Sequence, residues 1–261
     1  MKKFALSVGK AVLVIGFWIS LWLIIALIVN EPLFLPSPIA VFQRLTELVR
    51  DVAFWKSVLN SLLNVVVGVA ISFAIGSLLA YLMSVSKILN SLFSPLISVI
   101  KATPIASFIV IAVIWFSKST LPSFIATLIV IPIVTSNISQ GIKSVSPELR
   151  DVAKIYNFSP YKKLTALYIP SILPFFLAAC KSSLGMAWKA SVAAEMIVYA
   201  QITIGQKLSD MASGMEYDSA FAWTIVTVAM SMALEKLVVF LIDRIGKSLK
   251  AIPKGESHVK A

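Results

Sequence analysis

Apolar runs long enough to cross a lipid bilayer recur through the whole chain and leave few folds open to it. The first, Ala11 to Val29, follows Lys2, Lys3 and Lys10. At a helical rise of about 1.5 Å per residue it reaches about 28 Å, close to the thickness of a hydrocarbon core. Further runs lie near residues 57–83, 92–116, 121–138, 172–199 and 220–242. The sequence therefore predicts an all-α, polytopic membrane protein of about six transmembrane helices, forming one domain over residues 1–261. The composition agrees: 59% of the residues are hydrophobic and 13% charged, whereas about a quarter are charged in soluble domains. The first run is too long for a signal-peptide core, and Asn30-Glu31-Pro32 is a poor cleavage site, so it reads as a retained span.

The net charge is +11, and its distribution excludes nucleic acid as the partner. Six spans with the N-terminus in the cytoplasm put Lys2, Lys3, Lys10, Lys87, Lys143, Arg150, Lys154, Lys162, Lys163, Arg244, Lys247, Lys250, Lys254 and Lys260 inside. Only Arg44, Arg50, Lys56, Lys118 and Lys207 fall outside. That asymmetry is the positive-inside pattern, with both termini cytoplasmic. The single cysteine, Cys180, excludes an internal disulfide and reads as a packing residue. The single histidine, His258, lies in the polar tail. No metal-ligand cluster can be assembled from these residues.

Between the first two runs, Leu35-Pro-Ser-Pro38 predicts an extended stretch. Residues 40–52 follow with Val41, Phe42, Leu45, Leu48, Val49 and Val52 at helical spacing, an amphipathic helix on the outer interface or over the spans. Ser72, Gly76 and Ala80 form a small-residue face on the second span that lets another helix come close. Pro95 and Pro104 predict a kinked or broken third span, with Lys101 beside the second break.

The longest polar interruption is the loop at residues 139–171. Within it, Leu149, Val152, Ala153 and Tyr156 stand at i, i+3, i+4 and i+7, an apolar stripe surrounded by Glu148, Arg150, Asp151 and Lys154. A helix this short is not stable alone in water and needs a partner surface. Asn157 sits where a left-handed residue would end it, and Ser159-Pro160 reads as the cap and first residue of a second helix. Pro170 and Pro174 are expected to mark the turn into the fifth span.

This loop resembles the cytoplasmic signature of the permease subunits of binding-protein-dependent ABC importers: Glu-Ala-Ala, three residues, Gly, nine residues, then Ile-x-Leu-Pro. The matching positions are Asp151, Val152 and Ala153, then Asn157, then Leu167, Ile169 and Pro170. The spacing is kept throughout, Asp retains the charge of Glu, and Asn retains access to the left-handed turn. Leu35-Pro-Ser-Pro38, Gly185-Met-Ala-Trp188 and Val192-Ala-Ala-Glu195 are similar to the nitrate, sulfonate and taurine branch of that family. The resemblance covers roughly residues 30 to 245.

The resemblance implies a permease subunit in a bacterial cytoplasmic membrane, itself non-catalytic. A coupling helix between spans four and five would dock on a separate ATPase subunit through Leu149, Asp151, Val152, Ala153, Tyr156 and Asn157. It also implies a second permease copy, an external solute-binding protein, and a small, often anionic solute, such as a sulfonate, nitrate or a vitamin precursor, moved by alternating access. No GxxxxGK[ST] phosphate loop occurs, so ATP is expected on the partner and no cofactor on this chain. A Ser-His-Asp or Cys-His set cannot be formed either.

Charges within spans are costly, at least about 2.5 kcal/mol each on insertion scales. Lys181 and Lys189 fall within the fifth span and could face one cavity, guiding an anion; the alternatives are snorkelling, or pairing with Glu195 or Glu235. Lys101 fits either a pathway lining or an interface anchor, and Glu195 stands with Lys101, Lys181 and Lys189 as a possible pathway residue. Two rival functions remain at this point: a secondary transporter coupled to an ion gradient through buried Glu and Lys residues, and a membrane enzyme with an Asp/Glu/Lys site.

Overall fold

The structure, a computed structural model, describes residues 2–250; His258, Lys254 and Lys260 lie outside the described residues. Among these there is no β-strand. The elements are α1 (Lys2–Val29), α2 (Pro38–Leu48), α3 (Val52–Val85), α4 (Lys87–Ala102), α5 (Ile105–Ala112), α6 (Leu121–Lys143), α7 (Pro147–Ile155), α8 (Pro160–Lys163), a π-helical turn (Leu164–Tyr168), α9 (Ile169–Val198), α10 (Ile204–Ser213) and α11 (Tyr217–Lys250). Among the described residues, five stretches are long and apolar enough to cross a membrane: Val12–Val29, Val52–Val85, Leu121–Lys143, Pro160–Val198 and Tyr217–Ile242. The sixth expected span is the pair α4 and α5, bent by 102° at a break.

The break falls at Thr103-Pro104, while Pro95 is absorbed inside α4. Proline disfavours helix in the residue before it, and Thr103 is extended with ψ 131°. Its hydroxyl and amide both bond back to the Val99 carbonyl, which closes off α4.

The chain divides into two compact units, residues 1–62 with 195–228, and residues 63–194 with 229–261. In the first unit, Trp22 stacks on Phe221 and its indole donates to the Pro36 carbonyl. Phe54 packs against the buried Trp223 with ring centroids 5.0 Å apart. Helix α2 opens on Ser37, whose side chain accepts from the Ala40 amide, with Pro38 at the first helical position. Arg44 then ties α2 to the start of α11, donating to Ser219 at 2.7 Å and pairing with Glu216 at 3.3 Å, besides Glu47 on its own helix. These carboxylates hold the Arg44 guanidinium above its ordinary pKa.

In the second unit, α3 and α6 are joined in a constant register. Ser123 donates to Asn64, and the Thr127 and Thr135 hydroxyls donate to the carbonyls of Gly68 and Gly76. Each pair is 59 residues apart. A constant offset means that the two helices run parallel, so the chain between them must return to the side from which α3 starts. The bent α4 and α5 pair makes that return and so serves as a crossing, giving six spans. Small residues allow the approach: a Cβ on Gly68 would lie 2.6 Å from that of Ala126, and one on Gly76 2.8 Å from that of Val134.

Three boundaries differ from the sequence expectation. Residues 40–52 do not form one helix: α2 ends at Leu48, and Asp51 accepts from the Ala53 amide to open α3 at Val52, ahead of the expected residue 57. The polar loop is shorter than 139–171, because α6 continues to Lys143. No turn occurs at Pro170 or Pro174 either. The helix from Pro160 runs through both, and the π turn just before them, in which the Ile169 amide bonds to the Leu164 carbonyl, widens the backbone where Pro170 lacks a donor.

Candidate functional site

Helix α7 is built to be rigid despite its length. Ser146 caps it by accepting from the Leu149 amide, and Pro147 occupies its first position. Hydrogen bonds from its own backbone amide and from Ser146 hold the exposed Glu148 carboxyl below its ordinary pKa, a fitting charge for a helix N-terminus. At the far end Asn157 is left-handed, with φ 47°. The Phe158 amide bonds to the Ala153 carbonyl and the Asn157 amide to that of Lys154, each at 3.0 Å. This is the Schellman closure, and Phe158 also packs on the cluster that contains Ala153, the hydrophobic contact that accompanies it.

The stripe read from the sequence divides between two surfaces. Ala153 turns inward and forms a buried cluster with Val145 and Leu167, flanked by Phe158 and Tyr168. Leu149, Val152 and Tyr156 turn outward and are 50%, 43% and 73% exposed. Ile155, which the stripe omitted, is 75% exposed and extends this face; its position three residues after Val152 was the available signal. Asp151 pairs only loosely with Lys154, at 3.8 Å on the surface, a contact worth little. Arg150 reaches back to the Ile142 carbonyl in the last turn of α6 at 3.4 Å. The helix is thus fastened to α6 and to the π turn, with an open apolar face. Such a face at the centre of a charged loop fits a protein partner.

The charges placed in the spans separate into two kinds. Glu195 is fully buried, and its carboxylate accepts from the Ser61 hydroxyl at 2.7 Å and the Gly205 amide at 3.2 Å. Ser61 in turn accepts from the Ile204 amide. The carboxylate therefore closes the first turn of α10, a stabilising position for a negative charge. Lys181 and Lys189 are exposed along α9, and among the described residues neither has a carboxylate within ion-pair distance. Lys101 is exposed at the end of α4 and donates to Ser136 of α6 at 2.8 Å.

Two polar groups lie on the buried side of α9: Trp188, which ends the Gly185-Met-Ala-Trp188 motif, and Ser191, which sequence reasoning did not single out. The indole Nε1 of Trp188 and the hydroxyl of Ser191 are buried and have no hydrogen-bond partner among the described residues. No group of three or more metal-ligating side chains occurs among the described residues.

Residues 72–251 match the family described as the binding-protein-dependent transport system inner membrane component. A probable ABC transporter permease protein of Haemophilus influenzae is 24% identical over 90% of this chain and 96% of its own length. The taurine transport system permease protein of Escherichia coli is 24% identical over 75% of this chain and 72% of its own. The crystal structure of an amino acid ABC transporter with histidines shares the fold, with TM-score 0.61 at 18% identity, covering 74% of this chain and 94% of that one. The family match includes α6 to α9 and so the whole of the α7 loop, as the spacing of Asp151, Ala153, Asn157 and Pro170 implied. Family members work with a binding protein, which leaves the ion-gradient reading without support. The chain belongs to the family of binding-protein-dependent inner membrane transport components, and it is a multi-pass permease subunit of an ABC importer.

Proposed function

We propose that α7 is the coupling helix through which ATP hydrolysis on a separate subunit moves the spans, and that the solute is a small oxyanion of the sulfonate type. The observation that carries the reading is the outward apolar face of Leu149, Val152, Ile155 and Tyr156 on a helix pinned at both ends. A pinned helix transmits displacement instead of absorbing it. Closure of an ATPase dimer would pull α7, and with it α6 through Arg150 and α9 through the Ala153–Leu167 cluster. Rigid-body motion of that kind is the physical content of alternating access.

One copy of the spans makes half of a pathway, so the assembly is a homodimer carrying two ATPase subunits inside and a solute-binding protein outside. The basic residues support an orientation with both termini cytoplasmic, which puts α7 on the ATPase side. Lys181 and Lys189, exposed without carboxylate partners, and Lys101 are the candidate cationic lining for an anion. Glu195 holds the α9–α10 corner. Relatives named for taurine, bicarbonate and nitrate transport support a small oxyanion, and the taurine permease among them brings in a sulfonate.

The test is co-purification of an ATPase subunit with the intact chain and with the double variant Leu149→Asp, Tyr156→Asp. Both side chains are half or more exposed, so the variant should insert and fold. The reading requires that the intact chain brings down the ATPase and the variant does not. Equal recovery with both would refute it.

A further inference from the structure

We infer that Trp188 Nε1 and Ser191 Oγ form a donor pair for an oxyanion, engaged when α9 moves during transport. The inference rests on the oxyanion reading above and names the groups that would read the anion's oxygens.

Trp188 is 1% exposed, yet its indole nitrogen is unpartnered, as is the buried hydroxyl three residues later. A spacing of three puts both on one face of α9. Most buried polar side chains have a partner, and an exception calls for a cause. Other serines of α9 show how easily this one could be satisfied: Ser182 donates to the Ala178 and Ala179 carbonyls, and Ser183 to that of Cys180. Ser191 makes no such bond, although α9 offers the same backbone acceptors.

The indole N–H donates only, so the group it awaits is an acceptor. A sulfonate oxygen meets that requirement and has further oxygens for a hydroxyl one turn away. In a protein with two states, donors orphaned in one and satisfied in the other bias the equilibrium toward the solute-bound state. Specificity follows as well, because a solute without suitable oxygens would leave both donors unpaired.

The experiment uses the full complex in liposomes, with taurine as the probe. Uptake, binding-protein-stimulated ATP hydrolysis and thermal midpoint are measured for wild type, Trp188→Phe, Ser191→Ala and the double variant. Absence of any wild-type taurine uptake would sink the sulfonate reading itself, and with it this inference. Given wild-type uptake, the donor pair requires uptake at least tenfold lower in Trp188→Phe and severalfold lower in Ser191→Ala, with ATP hydrolysis within twofold and the midpoint held. Unchanged uptake in both would overturn it. So would uptake, hydrolysis and midpoint falling together, the signature of a packing role. If Trp188→Phe does not assemble, the near-isosteric Ser191→Ala decides alone by the same criteria.

Discussion

Phe158 donates its amide to the carbonyl of Ala153 at 3.0 Å across a left-handed Asn157. That one bond ends α7, turns the chain back, and seats Ala153 against Leu167, so the outward face of the helix depends on it.

Asn157 is thus the residue on which the loop's shape turns. Asn157→Gly should preserve ATPase binding, because glycine adopts φ 47° freely. Asn157→Val should weaken it about tenfold or more, since a β-branched residue is strained there by about 1–2 kcal/mol. Titration of the ATPase subunit against the reconstituted variants measures both.

Two helical glycines, Gly68 at the interface between α3 and α6 and Gly185 on α9, should respond in opposite ways to a side chain. A Cβ at Gly68 would meet the Ser123 carbonyl at 2.7 Å, whereas one at Gly185 meets nothing within 4 Å. Gly68→Ala should cost about 1–3 kcal/mol, and Gly185→Ala should be neutral or stabilising by up to about 1 kcal/mol. Thermal unfolding in detergent, followed by a fluorescent thiol probe at Cys180, separates the two.

Glu195 is expected to matter through α10. Glu195→Ala removes the acceptor of the Ser61 hydroxyl and the Gly205 amide and should destabilise the chain by about 2–4 kcal/mol. Glu195→Gln keeps one acceptor oxygen and should recover part of that. Hydrogen exchange at Ile204 and Gly205 reads the effect locally, and unchanged protection in Glu195→Ala would contradict it.

The N-terminus of α7 should respond to acid. Glu148 has its folded pKa lowered, so its contribution is present above the ordinary carboxylate range and is lost as pH falls through the folded value. Exchange protection of the Leu149 and Arg150 amides should therefore decline on the acid side of that range, and Glu148→Gln should remove the dependence. The effect is small, because the group is fully exposed.

Much of this architecture was legible in the residues because the bilayer leaves so few alternatives. Apolar run length gave the spans, and Pro104 gave the break between α4 and α5. Asn157 and Ser159-Pro160 gave the turns around α7, since each residue type there has a local backbone reason. Misreadings arose where two signals competed. Val52 fitted the period of α2, but the Asp51 side chain beside it opens α3. Pro170 and Pro174 looked like a turn, but a π turn upstream supplies the room they need. Which side of the α7 stripe faces the protein depended on Val145 and Leu167, which lie outside the helix, and so periodicity alone could not divide Ala153 from Leu149. Trp188 stood out only as part of Gly185-Met-Ala-Trp188, and that its donor and that of Ser191 are unpartnered depends on packing that no motif encodes.

The most direct measurement places a photoreactive benzoylphenylalanine at Tyr156, with the lipid-range residue Trp18 of α1, 62% exposed, as control. Irradiation of membranes containing the ATPase subunit should yield a permease–ATPase adduct from position 156 and none from position 18. An ATPase that hydrolyses ATP and supports uptake, yet forms no adduct from position 156, would contradict the coupling role of α7.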